Sequence, residues 1–291
     1  LHFMKILVTG ANGQLGTELR RILEKDHPGI TTYTDIDSLD LTDPKAVDAF
    51  VRDNSFTHVV NCAAYTAVDR AEEEKSLCTA VNIGAVQNLA AVCSDLGIKM
   101  LHISTDYVFD GTAHKAYTES DKPAPMSHYG STKRKSETAL MGLLPEAIIV
   151  RTGWLYSPYG HNFVKTILAK CQPGATLRVV NDQIGTPTYA ADLANMIVRI
   201  ITARQWLAGI YHFSNEGVAS WYDFAQAIAE LSGVEDVTVL PVSSDDYVTA
   251  AARPLFSVLD KSKIKASYGV QIPYWRSSLK LCIDRLNCAK A

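Results

Sequence analysis

A doubly wound α/β fold on a parallel sheet is the architecture this sequence predicts, and three observations predict it. The first is KILVTG at 5–10, a continuous apolar run ending on glycine, as a strand buried on both faces should. The second is the helical pattern directly after it, LGTELRRILEK at 15–25, with Leu15, Leu19, Ile22 and Leu23 on one face. The third is that this pair recurs. ITTYTDI (30–36) reads as a second strand. DPKAVDAFVRD (43–53) reads as a helix, with Asp43 placed to cap it and Pro44 in its first turn. THVVNCAA (57–64) is a third strand, a long helix falls within 76–96, and KMLHIST (99–105) is a fourth strand. Strand–helix–strand units of this length join parallel strands by right-handed crossovers, so the expected fold is Rossmann-like.

Beyond residue 150 the rhythm loosens. VVNDQIGTPTYAADLANMIVRII (179–201) still reads as strand, loop and helix. From 209 the chain becomes a smaller mixed α/β region carrying Trp221, Tyr247, ARPLFS (252–257) and Trp275, the kind of segment that covers a sheet and completes a pocket. There is no internal repeat and no low-complexity linker, so the two parts are expected to interleave. The first domain is expected over 4–150 with a return segment near 175–205, and the pocket-completing region over 151–174 and 206–291.

Composition narrows the function. The 291 residues are 47% hydrophobic and 20% charged, with a formal net charge of −3, so no basic surface is offered to nucleic acid or an anionic membrane. KRK at 133–135 is the one compact basic cluster, and a solvated helix face accounts for it. Six cysteines (62, 78, 93, 171, 282 and 288) are scattered without a C-x-x-C, which predicts buried free thiols in a reducing compartment and no metal site. No signal peptide is recognisable, and no apolar run approaches the roughly 18 residues of a membrane span. A cytoplasmic location is expected. Leu1–Phe3, ahead of Met4, are expected to be extraneous, because the first strand begins directly after that methionine.

TGANGQLGTEL (9–19) sets Gly10, Gly13 and Gly16 between the first strand and the first helix. Glycines there let the backbone turn tightly and approach a pyrophosphate, whose charge sits on the free N–H groups of the helix start. The spacing is not G-x-G-x-x-G, and three glycines can also serve packing alone; position after the very first strand favours a nucleotide. Asn12, Gln14 and Leu15 of the same turn are then expected at the cofactor. Asp35 closes the second strand, where a carboxylate accepts from adenosine ribose hydroxyls. No Arg or Lys lies beside it in sequence to neutralise a 2′-phosphate, which leans toward NADH. Asp40 and Leu41 could flank the adenine. The 4–150 domain is therefore read as dinucleotide-binding, and the later region as substrate-binding.

HYGSTKRKSE (128–137) supplies Tyr129 and Lys133 four residues apart. On a helix they differ by roughly 40° of rotation and project from one face. An ammonium beside a phenol stabilises phenolate and lowers a pKa otherwise near 10. Y-x-x-x-K is common by chance; the glycine turn and the strand-end Ser104, Thr105 and Asp106 upstream make it specific. Thr105, at the carboxyl edge of a central strand, is placed to hold a substrate oxygen against Tyr129.

Together G-x-x-G-x-x-G, NCAA, STDYVFDG and Y-x-x-x-K resemble the extended short-chain dehydrogenase/reductases. STDYVFDG, YGSTK, RTGWLY (151–156), NDQIGTPT (181–188) and ARP (252–254) are similar to the dTDP-4-dehydrorhamnose reductase family, from Met4 to about residue 285. The resemblance implies Thr105, Tyr129 and Lys133 as the catalytic set, with Tyr129 and Lys133 also touching the cofactor. It implies Ala63, Ala64 and Tyr65 along the cofactor, Thr105, Asp106, Tyr107 and Trp154 at the sugar, and Arg253 at the nucleotide diphosphate. It further implies NADPH with NADH tolerated, a dTDP-sugar substrate reduced at its C4 ketone to dTDP-L-rhamnose, and an assembly that can be a homodimer. Related dehydratases carry an Asp–Glu pair after the strand-end Thr. Here Asp106 is followed by Tyr107, which speaks for reduction and against elimination of water.

Three alternatives stay open on the sequence: another nucleotide-sugar reductase, an epimerase, or a non-catalytic dinucleotide-binding relative like the regulatory subunit of methionine adenosyltransferase. Asn162 and Gln183 are further polar candidates. His102 alternates with apolar strand positions and reads as structural.

Overall fold

The computed structural model describes residues 4–288, so the reading of Leu1–Phe3 lies outside the described residues. Along the chain come β1 (Ile6–Thr9), α1 (Gln14–Asp26), β2 (Thr31–Thr34), α2 (Pro44–Asn54) and β3 (His58–Asn61). Next are α3 (Lys75–Thr79), a π-helical turn (Ala80–Gly84), α4 (Ala85–Leu96), β4 (Lys99–Thr105), α5 (His128–Leu143) and β5 (Ile148–Thr152). Then follow β6 (Leu155–Tyr156), α6 (Phe163–Lys170), β7 (Thr176–Val180), β8 (Ile184–Gly185), β9 (Thr188–Tyr189), α7 (Ala190–Ile201) and β10 (Gly209–His212). The chain closes with β11 (Ala219–Ser220), α8 (Trp221–Ser232), β12 (Thr238–Val242), α9 (Ser262–Tyr268) and α10 (Trp275–Cys288).

The main sheet has six strands in the order β10-β5-β4-β3-β1-β2, every pairing parallel. Ile6 of β1 sits opposite Thr31 on one side and His58 on the other. The chain thus moves outward from β1 to β2, then crosses back to β3, and the reversal opens a crevice at the carboxyl ends of β1 and β3. Strand alternation sorts the core: Ile6 and Val8 pack on one face with Leu19 and Leu23 of α1 and Ile197 of α7, whereas Leu7 packs on the other with Val47, Val86 and Leu89. A separate cluster of Tyr156, Val164, Phe224, Ile228 and Leu279 forms the core of the smaller region.

Local chemistry sets the helix starts. The Asp43 carboxylate accepts from Lys45 N at 2.9 Å and Ala46 N at 3.2 Å, with Pro44 at the first helical position. Ser127 caps α5 by accepting from Gly130 N at 3.1 Å, and Ser220 forms a capping box with Asp223 at α8.

Several expectations are corrected. The return segment runs over 190–212, not 175–205: α7 packs on α1 and β10 extends the main sheet beside β5. β7 instead pairs with β12 in the smaller region, because Thr176 and Arg178 alternate outward and suit a sheet with one solvated face. KRK is not a solvated face, since Lys133 is buried while Lys135 is exposed. The stretch Lys75–Leu96 is long and apolar enough to cross a bilayer, against the expectation. Its apolarity goes into the core through Ala85, Val86, Leu89, Ala90 and Cys93. The six cysteines are unpaired; Cys78, Cys93, Cys171 and Cys282 are buried, but Cys288 is exposed and Cys62 only half-buried.

Candidate active site

A cleft of about 1010 Å³ opens over the reversal point, lined from both parts of the chain. Its first wall is the glycine turn. Gly10 has φ +64°, and a Cβ there would stand 2.6 Å from Ala63 N, so only glycine fits. Gly13 caps α1 without a side chain, and no acidic residue sits in that first turn, which leaves the helix N–H groups free for an anion. These residues fit a dinucleotide pyrophosphate. Asn12, Gln14, Leu15 and Gly16 line the same wall, and Asp35, Asp40 and Leu41 line its far end. Asp35 accepts from Asn12 N at 2.8 Å and Ile36 N at 2.9 Å, which fixes its carboxylate at the strand end. Ala63, Ala64 and Tyr65 continue along the cleft. Tyr65 N donates to Asn82 Oδ1 at 2.9 Å, and Asn82 Nδ2 donates to Thr132 Oγ1 at 3.0 Å, so the π-helical turn ties this wall to α5.

Thr105, Tyr129 and Lys133 meet at the middle of the cleft. The start of α5 reaches β4 because Gly130 lies against the Tyr107 carbonyl with no room for a Cβ. Tyr129 stacks edge-on against Tyr107 with ring centroids 5.9 Å apart. Thr105 Oγ1 donates to Asp106 Oδ1 at 3.0 Å and accepts from Tyr107 N at 3.2 Å. Lys133 Nζ donates to Ile103 O at 2.7 Å. Burial raises the Tyr129 phenol, and the Thr105 hydroxyl pulls it back. Burial lowers the Lys133 ammonium to about 8, with Glu137 opposing the shift. Burial likewise pushes the Asp106 carboxyl up to about 6 against the Thr105 bond.

The other end of the cleft is aromatic. Trp154 takes φ +50°, a left-handed conformation rare for a bulky residue, and its indole stacks on Trp221 at 3.6 Å. Both line the cleft, as do Asp106 and Tyr107. A Cβ at Gly153 would stand 2.5 Å from Asp106 Cγ, so that glycine makes room for the carboxyl. Asn162 lines the cleft, and its Nδ2 donates to Gln14 Oε1 at 2.9 Å, joining the two regions. Gln183 points elsewhere, donating to Ser244 Oγ at 3.1 Å. Arg253 is not in the cleft wall: its guanidinium is taken up by Asp69, with bonds of 3.0 and 2.7 Å. To meet a diphosphate it must be shared with, or released from, that carboxylate.

Sequence reasoning missed Trp221 as the stacking partner, Asp69 as the partner of Arg253, and His102, whose Nε2 lies 3.2 Å from Lys133 Nζ. The alternation of His102 with apolar residues marked it as inward-facing but not what it faces.

Comparison with known proteins gives the family. Residues 4–288 match the family model described as the RmlD substrate binding domain. A dTDP-4-dehydrorhamnose reductase of Aggregatibacter actinomycetemcomitans is 39% identical over 285 residues, covering 95% of this chain and 97% of that protein. The crystal structure of a dTDP-4-dehydrorhamnose reductase of Clostridium acetobutylicum superimposes with a TM-score of 0.93 at 42% identity, covering 98% of this chain and 100% of that one. That of Bacillus anthracis, in complex with NADP, gives 0.92 at 38% identity, covering 97% and 99%. The cleft, its tyrosine and lysine, and these likenesses along nearly the whole chain place it in one family: the chain belongs to the dTDP-4-dehydrorhamnose reductases.

Proposed function

We propose that the chain reduces the C4 ketone of dTDP-4-dehydro-L-rhamnose to dTDP-L-rhamnose with NADPH, and accepts NADH. The observation that carries this reading is the convergence of Thr105, Tyr129 and Lys133 in the cleft, beside a glycine turn whose free N–H groups fit a pyrophosphate. Ala63, Ala64 and Tyr65 would hold a reduced nicotinamide, which when bound would supply the hydride. Tyr129 holds the proton that the C4 oxygen takes as its negative charge develops. Thr105 hydrogen-bonds the same oxygen, its hydroxyl turning between Asp106 and the ketone. The Lys133 ammonium favours the phenolate that Tyr129 becomes, and binds the nicotinamide ribose. Asp106, Tyr107 and Trp154 hold the sugar, and Arg253 shifts from Asp69 to the diphosphate. Asp35 receives the adenosine ribose, and its charge works against a 2′-phosphate, so the NADPH to NADH ratio reads its role. The unpaired thiols support a cytoplasmic location, and a homodimer is the assembly to look for.

The test is loss of nicotinamide absorbance with dTDP-4-dehydro-L-rhamnose, run with each cofactor, for the native chain and Tyr129→Phe. Turnover is expected to fall by about 10²–10⁴-fold in the variant while dinucleotide affinity stays unchanged. A native chain that binds the dinucleotide but oxidises none of it with this sugar overturns the reading in favour of another keto sugar or a regulatory role.

A further inference from the structure

Behind Lys133 lies a chain of buried polar groups that the catalytic reading does not use. Thr9 Oγ1 donates to Asn61 Oδ1 at 2.7 Å, and Ala63 N donates to the same oxygen at 3.1 Å. A backbone N–H can only donate, so the Asn61 amide is held with its oxygen toward Ala63 and its nitrogen away from it. That nitrogen, Nδ2, lies 3.1 Å from His102 Nδ1. An amide nitrogen also only donates, so His102 Nδ1 is the bare acceptor, and the proton of the neutral imidazole sits on Nε2. Nε2 in turn faces Lys133 Nζ at 3.2 Å and Ser136 Oγ at 3.4 Å. The Ser136 hydroxyl proton is already given to Lys133 O at 2.7 Å, so its oxygen cannot donate to Nε2 and is a second, longer acceptor for the Nε2–H beside Lys133 Nζ. His102 is fully buried and Lys133 nearly so.

We propose that Asn61 locks His102 in its Nε2–H tautomer, and that this N–H, aimed at Lys133 Nζ, makes His102 the positioning residue that sets the protonation state of Lys133. An uncharged amine has a lone pair for the Nε2–H; an ammonium meets it hydrogen to hydrogen. The pair therefore favours the neutral lysine in the same direction as burial does. Two other groups facing Lys133 oppose this: the Ile103 carbonyl accepts from Nζ at 2.7 Å, and Glu137 on α5 attracts the ammonium, although Arg151 bonds both its oxygens. Burial pushes the thiols of Cys62, after β3, and Cys78, on α3, upward, and the Tyr129 phenol likewise, so these stay uncharged. Burial and the Lys133 charge hold His102 itself neutral. Burial and the His102 N–H thus draw Lys133 toward its neutral form while Ile103 O and Glu137 hold the ammonium, and His102 shifts where the balance lies. On the reductive reading, on which only the catalytic consequence rests, His102 places the alkaline limb of the rate profile.

The test uses readouts that need no sugar substrate. In protein labelled with ¹⁵N-histidine, the His102 ring, assigned by its loss in His102→Gln, is expected to show a protonated Nε2 and a bare Nδ1 through the neutral range. The reverse tautomer, or an imidazolium, overturns the proposal. In protein labelled with ¹³Cε-lysine, the Lys133 signal, assigned with Lys133→Met, is followed against pH. Gln at 102 puts a carbonyl oxygen where Nε2 stood, and an ammonium can donate to it, so the midpoint is expected to rise by about one pH unit. Asn61→Asp, which needs a proton on Nδ1 and so reverses the tautomer, is expected to move it the same way. A Lys133 midpoint unchanged in folded His102→Gln reduces His102 to a packing residue. If turnover is measurable, the alkaline limb moves with the midpoint; if the sugar is not a substrate, the reductive reading fails while the titration still decides the role of His102.

Discussion

Asp106 carries a charge that the fold resists, and this has a measurable sign. Burial raises its carboxyl from 3.8 to about 6, although Thr105 Oγ1 donates to it. Below about pH 3 the group is protonated in folded and unfolded chains alike, and no penalty applies. As pH rises from about 4 to about 6 the unfolded chain gives up this proton before the folded one, so the folded state loses up to about 3 kcal/mol, a penalty that is complete and constant above about 6. Asp106→Asn is therefore expected to raise the melting temperature at neutral pH and to leave it unchanged near pH 3, while weakening sugar binding. Thermal denaturation at the two pH values checks this, and an equal gain at both would discard the buried charge as its cause. Residues of this kind were legible when their logic is local. Tyr129 and Lys133 are one helical turn apart, and Thr105 ends a strand, so spacing marked them as candidates, and the company of the glycine turn and the family resemblance assigned them their roles. The contacts that tune them are not local: Lys133 meets His102 across 31 residues, and Arg253 meets Asp69 across 184. No sequence period reports such a pairing; it follows from the crossovers of the sheet.

At the scale of elements, α5 is held in place by a buried ion pair. Arg151 on β5 donates to both Glu137 oxygens, at 2.8 and 2.7 Å, and Ser104 on β4 adds a bond of 2.6 Å to the same carboxylate. Both side chains of the pair are almost wholly buried. Removing one partner strands the other charge in a medium of low dielectric. Arg151→Met is expected to cost about 3–5 kcal/mol in urea unfolding, whereas Glu137→Met with Arg151→Met recovers much of the loss. A double variant no better than the single one would mean that the pair does not act as a unit. Since α5 carries Tyr129 and Lys133, the folded fraction of the single variant is expected to lose turnover as well. Elements announced by their own caps were legible, α2 from Asp43 and Pro44 above all. The π-helical turn at Ala80–Gly84 was not. It widens by one residue a helix whose apolar pattern reads as continuous, and what requires it is the pull of Asn82 toward Tyr65 and Thr132.

Across the whole molecule, the cleft divides by origin. Its glycine-turn end, the proposed cofactor end, comes from the first part of the chain, between Thr9 and Tyr65, and its aromatic end, the proposed sugar end, draws on 152–162 and Trp221. The alternation of strands and helices made the parallel sheet legible, because each crossover unit carries its own period. The interleaving was legible only in outline: β10 is four residues long and α7 looks like any amphipathic helix, so nothing local says that both rejoin the main sheet. This division predicts separable effects on binding. Trp221 opens α8 in the smaller region and stacks on Trp154, whose own backbone is held in a left-handed conformation beside it. Without that partner the Trp154 indole loses the contact that fixes its plane at the proposed sugar end of the cleft. Trp221→Ala is therefore expected to raise KM for the dTDP-sugar by about 10-fold, the scale of one aromatic contact, and to leave dinucleotide Kd unchanged. Steady-state kinetics beside fluorescence titration of the dinucleotide separates the two. A parallel loss of both affinities would show that the regions do not bind independently, and that the stacked pair supports the cleft as a whole rather than its sugar end.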